Sequence, residues 1–158
     1  MAVQDLFVIM IVLFTIGLII FISTRIKDNM FPQLKKLLPN KGAGMVTTVE
    51  YAYKGLDSIF FFVSIGLGVG AIVGAWFTDN PPLFFFLAIV MFAIVMVIVP
   101  SFANAFQSFS EKSTFSPYTS EYPMMMKIFE KYPIFFLVIG ILIILVLFAK
   151  WRSTSGGE

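Results

Sequence analysis

The 158-residue chain contains no cysteine and no histidine, and only 13% of it is charged, 11 Lys and Arg against 9 Asp and Glu. The first two absences exclude disulfides, thiolate nucleophiles, Cys/His zinc sites, imidazole general bases and histidine haem ligands. The third excludes an ordinary soluble domain, because globular chains carry about 25% charge and need it to cover a water-facing surface. No N-glycosylation sequon occurs. Ala2 stands where myristoylation needs glycine, and lipidation at cysteine has no acceptor. Attachment to a membrane therefore falls to the chain itself.

What is present is apolar: 59% of the residues are hydrophobic and 20 are Phe. Stretches 6–24, 58–78, 80–110 and 132–149 contain no Asp, Glu, Lys or Arg. At about 1.5 Å per residue, roughly 20 residues cross a 30 Å hydrocarbon core and about 17 suffice. The reading is an all-α integral membrane protein with four transmembrane helices, over 5–24, 57–77, 83–103 and 133–150. It forms one polytopic membrane domain. Residues 1–5 lack a basic n-region and include Asp5, so the first apolar run reads as a permanent helix rather than a cleaved signal. Thr78-Asp79-Asn80-Pro81-Pro82 predicts a tight connection between the second and third spans. Beyond Pro100, Phe102, Phe106 and Phe109 alternate with Ser101, Asn104, Gln107 and Ser108. This pattern predicts an amphipathic extension, turned by a kink at Pro100, lying at the interface or against a neighbour.

Sidedness follows from the basic residues. Arg25, Lys27, Lys35, Lys36, Lys41, Lys54, Lys112, Lys127 and Lys131 fall in the two loops that four crossings place on one side, so nine of eleven basic residues share it. By the positive-inside tendency that side is cytoplasmic or interior, and both termini are non-cytoplasmic. Lys150, Trp151 and Arg152 form an interfacial anchor at the other end, followed by a polar tail over 153–158.

Both same-side loops, 25–56 and 107–132, predict short amphipathic helices in the headgroup region. In the first, Met30, Phe31, Leu34, Leu37 and Leu38 share a side, and Pro32 suits the first turn. Lys41-Gly42-Ala43-Gly44 then reads as a turn. Thr47-Thr48-Val49-Glu50 matches a capping box, which starts the second membrane helix near Thr48. Tyr51 and Tyr53 would mark its interfacial end, and Asp57 the boundary. In the second loop, Met124, Met125, Ile128 and Phe129 form the apolar face, opposite Lys127, Glu130 and Lys131. Consecutive methionines also suit an adaptable contact surface.

Gly66, Gly70 and Gly74 recur every four residues, a doubled small-xxx-small stripe, with Ser64 and Ala71 nearby. Such stripes let helices approach closely in lipid, either within the chain or between subunits. Gly66-x-Gly68-x-x-Ala71 also fits a permissive dinucleotide pattern, but that fingerprint needs a preceding strand and a helix starting at the glycines. Glu111, Glu121 and Glu130 lie among lysines and read as solvated charges. No nucleophile with a base, metal set or phosphate cradle is legible, so the expectation is no catalytic residue and no cofactor.

The function expected from this pattern is a structural or accessory subunit of a larger membrane-embedded assembly. A virion inner-membrane protein or a spacer subunit of a membrane complex would be of that kind. The alternative is an oligomeric pore-former, holin-like or a small channel, using the Gly66/Gly70/Gly74 face. Expected partners are the lipid bilayer and other membrane subunits or further copies. Arg25, Lys27, Lys35, Lys36 and Lys41 would contact lipid or an anionic partner, and nucleic acid would have only this basic side to bind. No small-molecule substrate is evident.

Overall fold

The computed structural model describes residues 2–37, 42–77 and 82–155. Its elements are α1 (Ala2–Leu37), α2 (Gly42–Phe77), α3 (Pro82–Ser110), a 3₁₀ segment (Ser116–Ser120), α4 (Pro123–Glu130) and α5 (Tyr132–Ser155). There is no strand among the described residues. Every unbonded backbone polar group in hydrocarbon is costly, so long apolar runs close their hydrogen bonds internally as helix. Four helices, α1, α2, α3 and α5, are long and apolar enough to span a membrane. The protein is an all-α, multi-pass membrane protein.

The four spans pack as a ring in which α1 touches α2 and α3, and α5 touches α2 and α3. Neighbouring contacts fix their directions. Phe14 meets Phe102 and Phe21 meets Phe106, so α1 and α3 run parallel. Lys150 reaches Trp76 while Gly68 faces Ile139, so α2 and α5 run parallel to each other. Helix α1 buries Leu6, Met10, Leu13, Ile20, Phe21 and Thr24, one helical face at three- and four-residue spacing. Toward the basic end the centre is aromatic. Phe106 and Phe129 stack at 3.6 Å between centroids, and Phe60 stacks on Phe129 at 5.6 Å.

Two expectations about local structure are corrected. The predicted separate helix around Met30 and Leu37 is the continuation of α1, with Pro32 inside it. An interior proline costs about 3 kcal/mol. Packing against α2 offsets that cost, with Val46 buried and Lys35 bonded to Glu50 at 3.0 Å. The capping box is absent, because α2 already begins at Gly42. Thr48 lies inside the helix and donates its hydroxyl to the Gly44 carbonyl at 3.1 Å. Helix α3 continues through Pro100, and of the two placements expected for its extension it takes the one against a neighbour, with Phe102 and Phe106 packed on α1.

One feature matches the expectation more closely. Helix α4 is the short amphipathic helix of the second loop, with Met125 and Phe129 as its buried face. Helix α5 continues to Ser155, beyond the expected end of the span near residue 150. Leu38 to Lys41, Thr78 to Pro81 and residues 156–158 lie outside the described residues, so the connection at Asp79 and Lys41 itself are not placed.

Candidate interaction surfaces

With 36 residues, α1 is about 54 Å long at 1.5 Å per residue, nearly twice the hydrocarbon thickness. Arg25, Lys27, Asp28, Lys35 and Lys36 keep its last third out of the apolar phase. That third pairs with 42–56 of α2 as a helical hairpin beyond the spans. Tyr53 ties its base by donating to the Ser23 carbonyl at 3.5 Å.

The basic residues of this hairpin do not form one patch. Lys27 pairs with Asp28 at 3.1 Å and approaches Glu121 at 3.9 Å, with its ammonium over the Tyr53 ring. Lys35 pairs with Glu50, and Arg25 sits over Phe115. Lys36 is exposed. A groove of about 690 Å³ between α1, α2 and the Glu121-Tyr122 turn before α4 is lined by Lys27, Lys35 and Lys54 and equally by Asp28, Glu50 and Glu121. Matched charges give it no net attraction for a polyanion.

The outer face of α1 in the hairpin carries exposed apolar side chains. Ile26, Met30 and Leu37 are 52%, 51% and 75% exposed. At offsets of four and eleven residues they share one side of α1. Leu37 lies thirteen residues past Thr24, about 20 Å further along the helix axis. This ridge therefore continues well beyond the apolar span.

The most consequential polar contact is Asp57, which the sequence places only at a span boundary. Its carboxylate is buried on α2 and accepts from the backbone N–H groups of Met124 at 3.0 Å and Met125 at 2.8 Å. Helix α4 has Tyr122 at its N-cap and Pro123 in its first turn, with no local side-chain cap. An anion at a helix N-terminus satisfies orphan donors and the positive end of the dipole together. The uncapped Tyr122-Pro123 start was the available signal that a cap must come from elsewhere.

Two tyrosines pin the same region. Tyr132 donates to the Met10 carbonyl at 2.7 Å. Tyr122 shares a 2.5 Å hydrogen bond with Thr24, whose hydroxyl also bonds the Ile20 carbonyl at 2.8 Å. Burial pushes the Tyr122 phenol above its ordinary value near 10, against the opposing pull of the Thr24 bond. The folded state thus holds this proton more tightly than the unfolded chain does. Its stabilisation is complete below about pH 10 and is lost as pH rises through the higher folded value. Tyr122→Phe should cost about 1 kcal/mol at neutral pH. It should also flatten the loss of stability above pH 10, read from unfolding midpoints in detergent. A variant with an unchanged alkaline profile would remove Tyr122 as the titrating group.

The predicted glycine set divides between two faces. Ser64, Gly68, Ala71 and Ala75 are buried, with the Ser64 hydroxyl on the Phe60 carbonyl and Gly68 against Ile139. A Cβ added at Gly66, Gly70 or Gly74 would meet nothing within 4 Å. Inside the chain, close approach is instead made at Gly17, Gly68 and Gly140. At the terminal end, Lys150 donates to the Trp76 carbonyl at 3.0 Å and Trp151 stacks on Phe85 at 5.6 Å. The predicted anchor is therefore partly a helix-packing device, and Arg152 is its exposed member.

In comparison with known proteins, the chain matches no family model, and no match arises among curated proteins or solved structures.

Proposed function

We propose that the chain is a non-enzymatic structural or accessory subunit of a larger membrane-embedded assembly, docked through the α1–α2 hairpin. The observation that carries this is the ridge of Ile26, Met30 and Leu37, exposed among charges beyond the apolar span. Large apolar side chains exposed together in water mark a contact surface. The Lys35–Glu50 ion pair links the two helices of the hairpin, and the hairpin's matched charges do not make it a polyanion site. By the positive-inside tendency the hairpin faces the cytoplasm or interior, and both termini face away.

A second reading, an oligomeric pore-former, draws on the outward Gly66, Gly70 and Gly74 stripe. One experiment separates the two. The protein is extracted in mild detergent as wild type, as I26E/M30E and as G70L, then sized, and each is reconstituted for dye leakage. The subunit reading expects wild type in a larger particle, I26E/M30E released from it, G70L retained in it, and tight vesicles throughout. Leakage that G70L abolishes would favour the pore. A monomer under every gentle extraction would sink the subunit reading.

A further inference from the structure

A groove of about 540 Å³ runs down the outside of the bundle between α2, α4 and α5. Its walls are almost wholly apolar, formed by Phe61, Ile128, Ile134, Phe135, Val138 and Ile139. Its remaining polar lining is Lys127 and Lys131, both exposed.

The backbone puts these residues in one column. The Lys131 N–H bonds the Lys127 carbonyl at 3.1 Å, and the Phe135 N–H bonds the Lys131 carbonyl at 2.9 Å. These two bonds bridge the junction at Lys131, the C-cap of α4, and residues 127, 131, 135 and 139 line the same groove. Eight residues separate Lys131 from Ile139, so the column descends about 12 Å from the charged end into the apolar span.

Charge distribution selects the occupant. Neither Lys127 nor Lys131 makes an ion pair among the described residues. Glu130, the nearest carboxylate in sequence, lines a different groove, on the α3 side of α4. In the hairpin groove, by contrast, three lysines face three carboxylates. The two lysines are also held in place. Asp57 fixes the start of α4, and Phe129 locks its last turn into the ring stack with Phe60 and Phe106.

We propose that this groove binds one anionic phospholipid, its phosphate between Lys127 and Lys131 and an acyl chain along Phe135, Val138 and Ile139. Two cations without counter-charges at the membrane surface, above an apolar trough pointing into hydrocarbon, complement the two ends of such a lipid. A second protein helix would fill the trough but leave both ammonium groups to be matched. A soluble anion would meet the lysines and leave the trough empty. The inference needs the four spans and is independent of the subunit proposal.

The test is native mass spectrometry of protein purified from vesicles of equal phosphatidylglycerol and phosphatidylcholine. Wild type should retain phosphatidylglycerol, and K127Q/K131Q should retain about thirtyfold less, given the weight of each basic residue at an anionic surface. The exposed pair K54Q/K112Q should retain as much as wild type. V138W, which fills the trough on a lipid-facing position without changing charge, should lose the lipid, and excess inorganic phosphate should not displace it from wild type. Equal retention of the two lipids by wild type would overturn the proposal. So would an equal loss in the control pair, full retention by V138W, or displacement by phosphate.

Discussion

Replacing Asp57 with alanine should destabilise the protein by about 3 kcal/mol, the loss of two hydrogen bonds to a buried carboxylate and of a helix cap. The effect is large because neither donor has an alternative within the protein. The Met124 and Met125 N–H groups lie in the first turn of α4, where no intrahelical acceptor exists, and Tyr122 supplies no side-chain cap. Removing the carboxylate would leave the Met125 donor unpaired in the buried seam between α2 and α4, and the part-buried Met124 donor to water. Asp57→Asn should fall between, keeping one acceptor oxygen and turning an amide N–H₂ toward the other donor. Hydrogen exchange followed by mass spectrometry is the direct readout. Protection of peptides covering 123–130 should drop in Asp57→Ala while the middle of α5 stays protected. Unchanged exchange over α4 would mean that the aromatic stack alone holds the helix. Loss of the latch should also weaken lipid retention at the Lys127 and Lys131 groove.

The second large effect is expected at Gly17, whose neighbours leave no room for a side chain. A Cβ there would lie 2.7 Å from Phe129 Cε2 and 2.9 Å from Phe106 Cε2. Those rings are buried and stacked on each other, and Phe129 is stacked again on Phe60, so neither can swing aside. Overpacking of this kind costs about 1–3 kcal/mol for a small addition, and Gly17→Ala should fall at the upper end. Gly17→Leu should prevent the bundle from closing. Gly70→Ala is the internal control: its Cβ meets nothing within 4 Å, so its effect on the monomer should stay within about 0.5 kcal/mol. Unfolding midpoints in detergent for the two alanine variants decide the matter. Equal midpoints would place the Phe106–Phe129 stack away from Gly17.

These two sites show where reading from sequence stops. Gly17 is a lone glycine in an apolar run and belongs to no pattern, whereas Gly66, Gly70 and Gly74 form a conspicuous one. Yet the lone glycine is closely packed inside the chain, and the patterned stripe faces outward. Spacing reports that a smooth face exists. It is silent on which helix comes to lie there, and α2 carries a second small-residue face at Ser64, Gly68, Ala71 and Ala75 that is the one packed inside.

The hairpin makes a similar point through its breakers. Pro32 and the Thr47 to Glu50 pattern are sound local signals for a helix start. Each was outweighed by contact between the ends of α1 and α2, where Val46 is buried and Lys35 meets Glu50. Pairing along that length offsets the local cost of a proline, so two long helices replace several short ones.

What the sequence determined by itself was the solvent and the number of crossings. Hydrocarbon penalises every charge and every unbonded peptide group, so runs of about 20 apolar residues bounded by charge can be counted without knowing any neighbour. The amphipathic α4 was legible for the same reason, because its face is written in adjacent turns. Tertiary structure decided what depends on residues far apart in the chain. Asp57 caps a helix that begins 66 residues later, Tyr132 bonds Met10, and Lys27 finds Glu121. Such partners leave no local period. They arise because buried donors and charges must be satisfied by whatever the packed bundle brings within reach.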